Sequence, residues 1–217
     1  TLSNSGGRLP VPTVRALRAL FPAARLHLMY GLTEAFRSTT LPPELADTHP
    51  ASIGRAIPDA EILVVRPDGS LTADGEPGEL VHCGPLVTMG YWQDAERTAQ
   101  RFRPAPPASR LGGMAVWSGD TVVRDADGLL TFVGRADETI KTMGTRVSPT
   151  EIEELAHQSG AVAAAVALGT PDPVAGQRIR LVATLADGLS ASEAEARLLA
   201  WFRREAAAYM QPADIVW

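Results

Sequence analysis

Five consecutive residues, Tyr30-Gly31-Leu32-Thr33-Glu34, place a flat ring, a glycine, a hydroxyl and a carboxylate side by side. A ring can stack on a base, glycine lets backbone approach closely, a hydroxyl can bond a phosphate oxygen, and a carboxylate can bind Mg²⁺. The same residues also suit a turn ending a buried strand, with the ring in the core and the acid solvated. Ser5-Gly6-Gly7 is open in the same way, as a phosphate or base cradle or as a flexible turn before a helix. It lacks the Gly-Lys-Ser/Thr ending of a nucleoside-triphosphate phosphate loop. Asp120, after Ser118 and Gly119, offers two acceptor oxygens that match a ribose diol, or it is a turn aspartate. In Gly134-Arg135-Ala136-Asp137-Glu138-Thr139-Ile140-Lys141-Thr142-Met143-Gly144-Thr145-Arg146-Val147, cations and acids mix around two glycines. Such a segment suits an anionic ligand at a movable joint, or a solvated charged linker. Taken together, the four features agree on a nucleotide.

The elements that must position these residues can be read from pattern. Residues 13–21 carry Val14, Leu17, Leu20 and Phe21 at helical spacing between Pro12 and Pro22. In residues 25–31, Leu26, Leu28 and Tyr30 alternate as in a strand, so Tyr30 to Glu34 begins at a strand's C-terminal edge, where α/β folds place ligands. From about residue 52 to 135, short runs (EILVV, GELVHC, TVVRD, LLTFVGR) separated by PDGS, DGEPG and DADG predict an antiparallel sheet or small barrel. A helix over about 94–102 interrupts it, with Asp94 as N-cap and Ala95, Ala99 and Phe102 on one face. Residues 104–113 (PAPPASRLGG) are expected to be a mobile loop.

Beyond residue 137 the pattern becomes a small βα body. Ser148-Pro149-Thr150-Glu151 reads as a capping box opening a helix that Gly160 stops. AVAAAVALG and RIRLVATL read as strands, and a second box, Ser190 to Glu193, opens a helix through about Ala206.

Composition narrows the class. With 217 residues, 45% of them hydrophobic, the chain can bury one medium domain or two small ones. A net charge of −5 supplies no general pull toward nucleic acid or anionic lipid, so a phosphate ligand must be held by a local site. Cys83 is the single cysteine, which excludes an internal disulfide or a thiolate metal cluster. No apolar run approaches a membrane span, and a cytoplasmic setting is expected. The chain opens at Thr1 without a leader pattern and is expected to be a fragment.

The order SGG, YGLTE, GELVHCGPLVTMGYW and WSGDTVVRDADGLLTFVGRADETIKTMGTRVSPTEIEE resembles the adenylate-forming superfamily of acyl-CoA synthetases, luciferases and peptide-synthetase adenylation domains. YGLTEAFRSTTLPPEL and GELVHCGPLVTMGYW most resemble acyl-CoA ligases associated with the exosortase system. The resemblance implies an α/β piece (1–50), a small barrel-like antiparallel sheet (51–136) and an incomplete α+β lid domain (137–217), truncated at both ends. The implied activity is that of an AMP-forming acyl-CoA ligase of fatty acid metabolism, using ATP, Mg²⁺ and CoA on a small carboxylic acid. Gly6, Gly7 and Tyr30 would line the adenine, Gly31 would belong to the same nucleotide-binding set, Thr33 would touch the α-phosphate and Glu34 would bind Mg²⁺. Asp120 would hold the ribose hydroxyls, Arg135 would support the ribose and Asp137 would be the domain hinge. Lys141 and Gly144 would face the acyl-adenylate during thiol transfer, Gly144 beside the thiol tunnel, while Arg146 would near phosphate in the other state. Residues 35–40 would border the acyl pocket. Leu28 and Met29 depart from the polar residue and glycine of many relatives. The phosphate loop would lie upstream of Thr1 and the catalytic lysine beyond Trp217, so the fragment itself is expected not to adenylate. An acyl carrier protein could replace CoA as acceptor, and a nucleotide-binding module without catalysis is the remaining reading.

Overall fold

The computed structural model describes residues 1–4, 7, 9–135 and 138–217. They fall into two compact units: residues 1–9 with 13–133, and residues 10–12 with 134–217.

The first unit begins with β1 (Leu2–Ser3), α1 (Val11–Leu20) and β2 (Leu26–His27), with β1 and β2 parallel. The helix starts two residues before the expected boundary, because Pro12 fits its first turn, where no N–H partner is needed. Its apolar stripe is narrower than the spacing predicts. Val14 is buried, but Leu20 and Phe21 at the C-terminal end are exposed. Val14, Leu26, Leu28, Leu41, Ala46 and Leu129 form the local core.

The alternating run at 26–30 is not one strand. It divides at Leu28 between β2 and β3 (Met29–Tyr30), which join different sheets. The larger sheet adds β4 (Thr39–Thr40), β5 (Ser52–Ala56), β6 (Glu61–Val65), β7 (Pro77–Cys83), β8 (Phe102–Pro104), β9 (Met114–Arg124) and β10 (Leu130–Arg135). Its order is β3-β4-β5-β10-β9-β7-β6, with β8 on β9. The sheet's core is Ile53, Val64, Leu80, Val122 and Leu130, with Tyr30 and Phe132 packed against it. Helix α2 (Ala95–Arg101) has Asp94 at its N-cap, accepting from the Arg97 N–H at 2.9 Å. None of its own residues is buried; Phe102, expected on its face, is buried as the first residue of β8.

Of residues 104–113, expected to be a mobile loop, Pro104 ends β8 and the rest are tied to a buried acid. Glu61 is 7% exposed. It accepts from the Ser109 hydroxyl at 2.6 Å, the Arg110 N–H at 3.0 Å, Arg110 Nε at 3.1 Å and the Leu111 N–H at 3.3 Å. A tether nearly fifty residues away in sequence leaves no local signature.

In the second unit, β11 (Ile140–Thr142) and β12 (Thr145–Val147) make a hairpin, followed by α3 (Pro149–Gln158), β13 (Val162–Asp172), β14 (Gly176–Leu185), α4 (Ala191–Glu205) and β15 (Asp214–Val216). The sheet runs β12-β11-β14-β13, with β15 parallel on β14. Arg180 Nε to Asp214 Oδ2, 2.6 Å, fixes the register of β15. Ile152 and Ala156 of α3 share one core with Leu198 and Phe202 of α4 and Ile179 and Leu181 of β14. The Ser190 and Glu193 capping box forms as expected. The Ser148 box does not: Ser148 occupies the N-cap but its side chain makes no capping bond. Its Oγ lies where a Cβ on Gly134 would fall, 2.5 Å away, so the hydroxyl covers that glycine instead. No helix is long and apolar enough to cross a membrane among the described residues.

Candidate functional site

A bulge brings Asp120 to Tyr30. Along β7 and β9, Val81 pairs with Trp117 and Glu79 with Thr121, so three residues of β9 face one of β7. Gly119 adopts φ +70°, a conformation glycine takes without a Cβ clash. The hydroxyl of Ser118 donates to the Leu80 carbonyl at 2.7 Å and accepts from the Asp120 N–H at 3.0 Å. The Gly119 N–H donates to Glu79 Oε1 at 2.9 Å. Ser118 and Asp120 are consequently both buried, and the Tyr30 hydroxyl donates to Asp120 Oδ2. The Tyr30 ring also lies 6.3 Å from that of Phe132. Residues ninety apart in sequence thus form one polar contact.

Residues 30–38 form a closed loop. The Ser38 N–H donates to the Tyr30 carbonyl at 3.0 Å, and Phe36 has φ +52°. A Cβ on Gly31 would lie 2.0 Å from the Phe36 carbonyl oxygen, so the backbone that approaches this glycine is the loop's own. Thr33 is exposed and Glu34 half-buried. Glu34 is held at two points: its carbonyl accepts from the Thr88 N–H at 2.9 Å, and its carboxylate from the Tyr91 hydroxyl. Burial, and after it the bond to Glu34, raise the Tyr91 phenol above its usual value, so it remains a donor. Among residues 35–40, Ala35, Ser38 and Thr39 are fully buried, whereas Phe36 is exposed.

Two residues that sequence reasoning missed hold segments next to these motifs. Asn4 donates to the Gly7 carbonyl at 2.9 Å and accepts from the Met29 N–H at 3.0 Å, linking the glycine pair's segment to β3. Its neighbour Ser5-Gly6-Gly7 was the available signal. His82 is fully buried with Nδ1 2.9 Å from the Ser38 hydroxyl. Burial lowers its pKa, so the native ring is neutral. Because the folded value lies below the unfolded one, the unfolded chain binds more protons as pH falls through about 6.5, and stability drops there by roughly 1 kcal/mol per pH unit. Melting temperature measured from pH 8 to 5 should fall below pH 6.5, and the fall should flatten in His82→Gln. Cys83 is buried, and burial pushes its thiol up, consistent with an inert side chain.

In the second unit, Lys141 and Arg146 are direct cross-strand partners in the β11–β12 hairpin. They share one face, and both are exposed. The resemblance divides them between two states; the hairpin presents them together. Met143 at φ 51° and Gly144 at φ 77° form its two-residue turn. Gln177 accepts the Lys141 N–H at 2.6 Å. The Arg135 carbonyl accepts from the Thr139 hydroxyl at 3.1 Å. Gly6 and Asp137 lie outside the described residues.

No three His, Cys, Asp or Glu side chains converge as a metal cage among the described residues. Mg²⁺ commonly takes one or two carboxylates and completes its shell with phosphate oxygens and water. The half-buried Glu34, with Tyr91 bonded to Oε1, suits that mode.

Comparison with known proteins gives the following. The model for "AMP-binding enzyme" matches residues 1–92, and that for "AMP-binding enzyme C-terminal domain" matches residues 151–217. A long-chain-fatty-acid–CoA ligase of Salmonella typhimurium is 32% identical over 215 residues, 98% of this chain and 36% of the ligase. A D-alanine–D-alanyl carrier protein ligase of Lactiplantibacillus plantarum is 35% identical over 167 residues, 75% of this chain and 32% of that protein. The o-succinylbenzoate CoA synthetase of Bacillus subtilis, solved with the acyl-adenylate intermediate and also with ATP and magnesium ion, superposes with a TM-score of 0.82 at 26% identity. That match covers 99% of this chain and 41% of the synthetase. The chain therefore spans about a third of the length of the curated relatives it matches.

Proposed function

This chain belongs to the AMP-binding enzyme family, and from that premise we propose that it carries the adenosine cradle of an AMP-forming ligase that activates a carboxylic acid and passes it to a thiol. The observation that carries this reading is the Gly119 bulge, which sets Asp120 against Tyr30. In the proposed arrangement the Tyr30 face and the segment around Gly7 bound the base. Gly6 would complete that wall, and Gly31 shapes the loop behind it. Asp120 accepts from the ribose hydroxyls with Arg135 supporting the sugar, and the exposed Thr33 hydroxyl meets the α-phosphate.

The reaction has two steps. The carboxylate of the acid attacks the α-phosphorus of ATP, pyrophosphate leaves, and a mixed anhydride of acid and AMP results. A thiol then attacks the acyl carbon and expels AMP. The first step is governed by alignment and charge neutralisation, to which this chain contributes orientation at Thr33 and Glu34. Mg²⁺, when bound at Glu34, supplies positive charge to the phosphates. The second step needs different surroundings, and rotation about Asp137 would present the hairpin bearing Lys141, Gly144 and Arg146. Both cations on one exposed face suit an anionic partner, since like charges placed opposite each other repel without one.

CoA is the favoured acceptor, a choice the long-chain-fatty-acid–CoA ligase among the relatives supports; the carrier-protein ligase among them supports the alternative. Thioester formation with free CoA against holo-carrier separates the two. A cytoplasmic setting and a fatty acid substrate belong to the same proposal. The test of the cradle is calorimetry with AMP on the full-length enzyme. Asp120→Ala should weaken AMP binding about 10- to 100-fold, since charge-assisted hydrogen bonds each contribute about 1.5–3 kcal/mol. Equal affinity in both proteins would remove Asp120 from the site, and no AMP binding by the parent enzyme would remove the ligase reading.

A further inference from the structure

The segment ending in GPLVTMGYW has no part in the cradle described above, yet it grips the loop that bears Glu34. We propose that Tyr91 is a positioning residue that fixes the direction of the Glu34 carboxylate toward the nucleotide-bound cation; this rests on the reading of Glu34 as the Mg²⁺ ligand.

The geometry is specific to the carboxylate. The Thr88 N–H holds the Glu34 backbone at its carbonyl, 2.9 Å, while the Tyr91 hydroxyl donates to Oε1 of the side chain. With both ends fixed, the carboxylate loses its freedom of rotation before any cation arrives. Mg²⁺ demands near-ideal octahedral geometry, so a ligand set in advance avoids an ordering cost at binding. The phenol is a neutral donor, so it orients the acid without cancelling its charge.

Tyr91 is itself held from every side. Its N–H donates to the Thr98 hydroxyl at 2.9 Å, and that hydroxyl donates to the Asp94 carbonyl at 2.6 Å. The Phe102 ring meets it edge-on, with centroids 5.6 Å apart at 80°. The Arg97 guanidinium lies 5.0 Å over its face. Gly90 has φ +131°, and a Cβ there would fall 2.5 Å from Thr98 Cγ2, so the chain reaches Tyr91 only through a glycine. All this packing serves the ring; the hydroxyl is left for Glu34.

Tyr91→Phe keeps the ring and removes only the donor. In the full-length enzyme, pyrophosphate release should then need about 10-fold more MgCl₂ for half-saturation, the scale on which groups behind a metal ligand act. ATP affinity measured by calorimetry in EDTA should stay within 2-fold and the melting temperature within about 2 °C. Thr98→Val, which loosens the backbone of Tyr91, should shift the MgCl₂ requirement in the same direction by less. Glu34→Gln separates the two ideas. If Glu34→Gln raises the requirement and Tyr91→Phe does not, the positioning role is wrong and the ligand reading stands. If Glu34→Gln leaves it unchanged, the ligand reading fails and the inference with it. A parallel loss of EDTA-state affinity and melting temperature in Tyr91→Phe would make the contact structural and overturn the proposal.

Discussion

Gly31→Ala should reduce kcat/KM of the full-length enzyme at least 10²-fold, with no other side chain altered. The added methyl would stand 2.0 Å from the Phe36 carbonyl oxygen and 3.1 Å from Arg37 Cα. These are backbone atoms, so no rotamer change relieves the clash; the loop itself must shift. Phe36 is already in the left-handed region at φ +52°, which leaves it little room to yield. Displacing residues 31–38 moves Thr33 and Glu34 together, and a misplacement of about 1 Å at a reacting centre costs on the order of 10²-fold. Gly31→Ala should also break the closure between the Ser38 N–H and the Tyr30 carbonyl, which amide exchange at Ser38 reports. Wild-type turnover with a slow-exchanging Ser38 amide would show that the loop accepts a Cβ after all.

The largest effect on stability should come from Glu61→Ala. Burial works to raise the pKa of this carboxyl, but the bonds from Ser109 and Arg110 and from the N–H groups of Arg110 and Leu111 outweigh it and hold the value at about 2. Against an unfolded value near 4.5, that shift bounds the acid's contribution at about 3 kcal/mol. Arg110 is mostly exposed, so solvent screening trims this to roughly 2 kcal/mol. The contribution is fully present above about pH 4.5 and is lost as pH falls from there toward 2. This window is separate from that of His82. Glu61→Ala should therefore melt about 6 °C lower at pH 7 and show a flatter acid limb below pH 4.5. Residues 105–113 should become a trypsin site at Arg110, because their anchor is gone. Resistance to trypsin in the variant would mean that the strand-edge packing of Ala105 and Trp117, rather than Glu61, holds the loop.

What the sequence made legible is what neighbouring residues encode. The Ser190 and Glu193 box and the Asp94 cap involve partners three residues apart, and both form. The strands at 61–65 and 77–83 follow from short apolar runs between turn residues. The failures share a cause in distant partners. Ser148 has the spelling of a box, but its hydroxyl lies over Gly134 of β10. The stripe of α1 promises burial at Leu20 and Phe21, and the core ends before it reaches them. Glu61 lies in a strand whose pattern gives no hint of a clamp on residues 109–111.

At the site, the motifs were visible one by one, each compatible with a turn. The arrangement was not visible. Ser118, Gly119 and Asp120 look like a loop until β7 is seen to oppose the three of them with a single residue, Leu80. Tyr91 and Thr88 lie in a segment that carries the family resemblance, but their role is legible only through their contact with Glu34. Asn4 is legible only as a neighbour of glycines, though it bridges two segments 25 residues apart.

The strand order of the larger sheet bears on how the chain is made. Strand β5 has β10 as its neighbour, with Ser52 paired to Thr131, whereas β13 and β14 are joined by a three-residue turn. Loop closure over nearly eighty residues is slow, and local hairpins form quickly. Synthesis delivers the slow half first. On the ribosome, β5 must wait with an open hydrogen-bonding edge until β10 has emerged, some eighty residues or several seconds later. The interval between those two strands is when a nascent chain of this kind is most exposed to misassociation, and when a chaperone or an unbroken translation rate matters most.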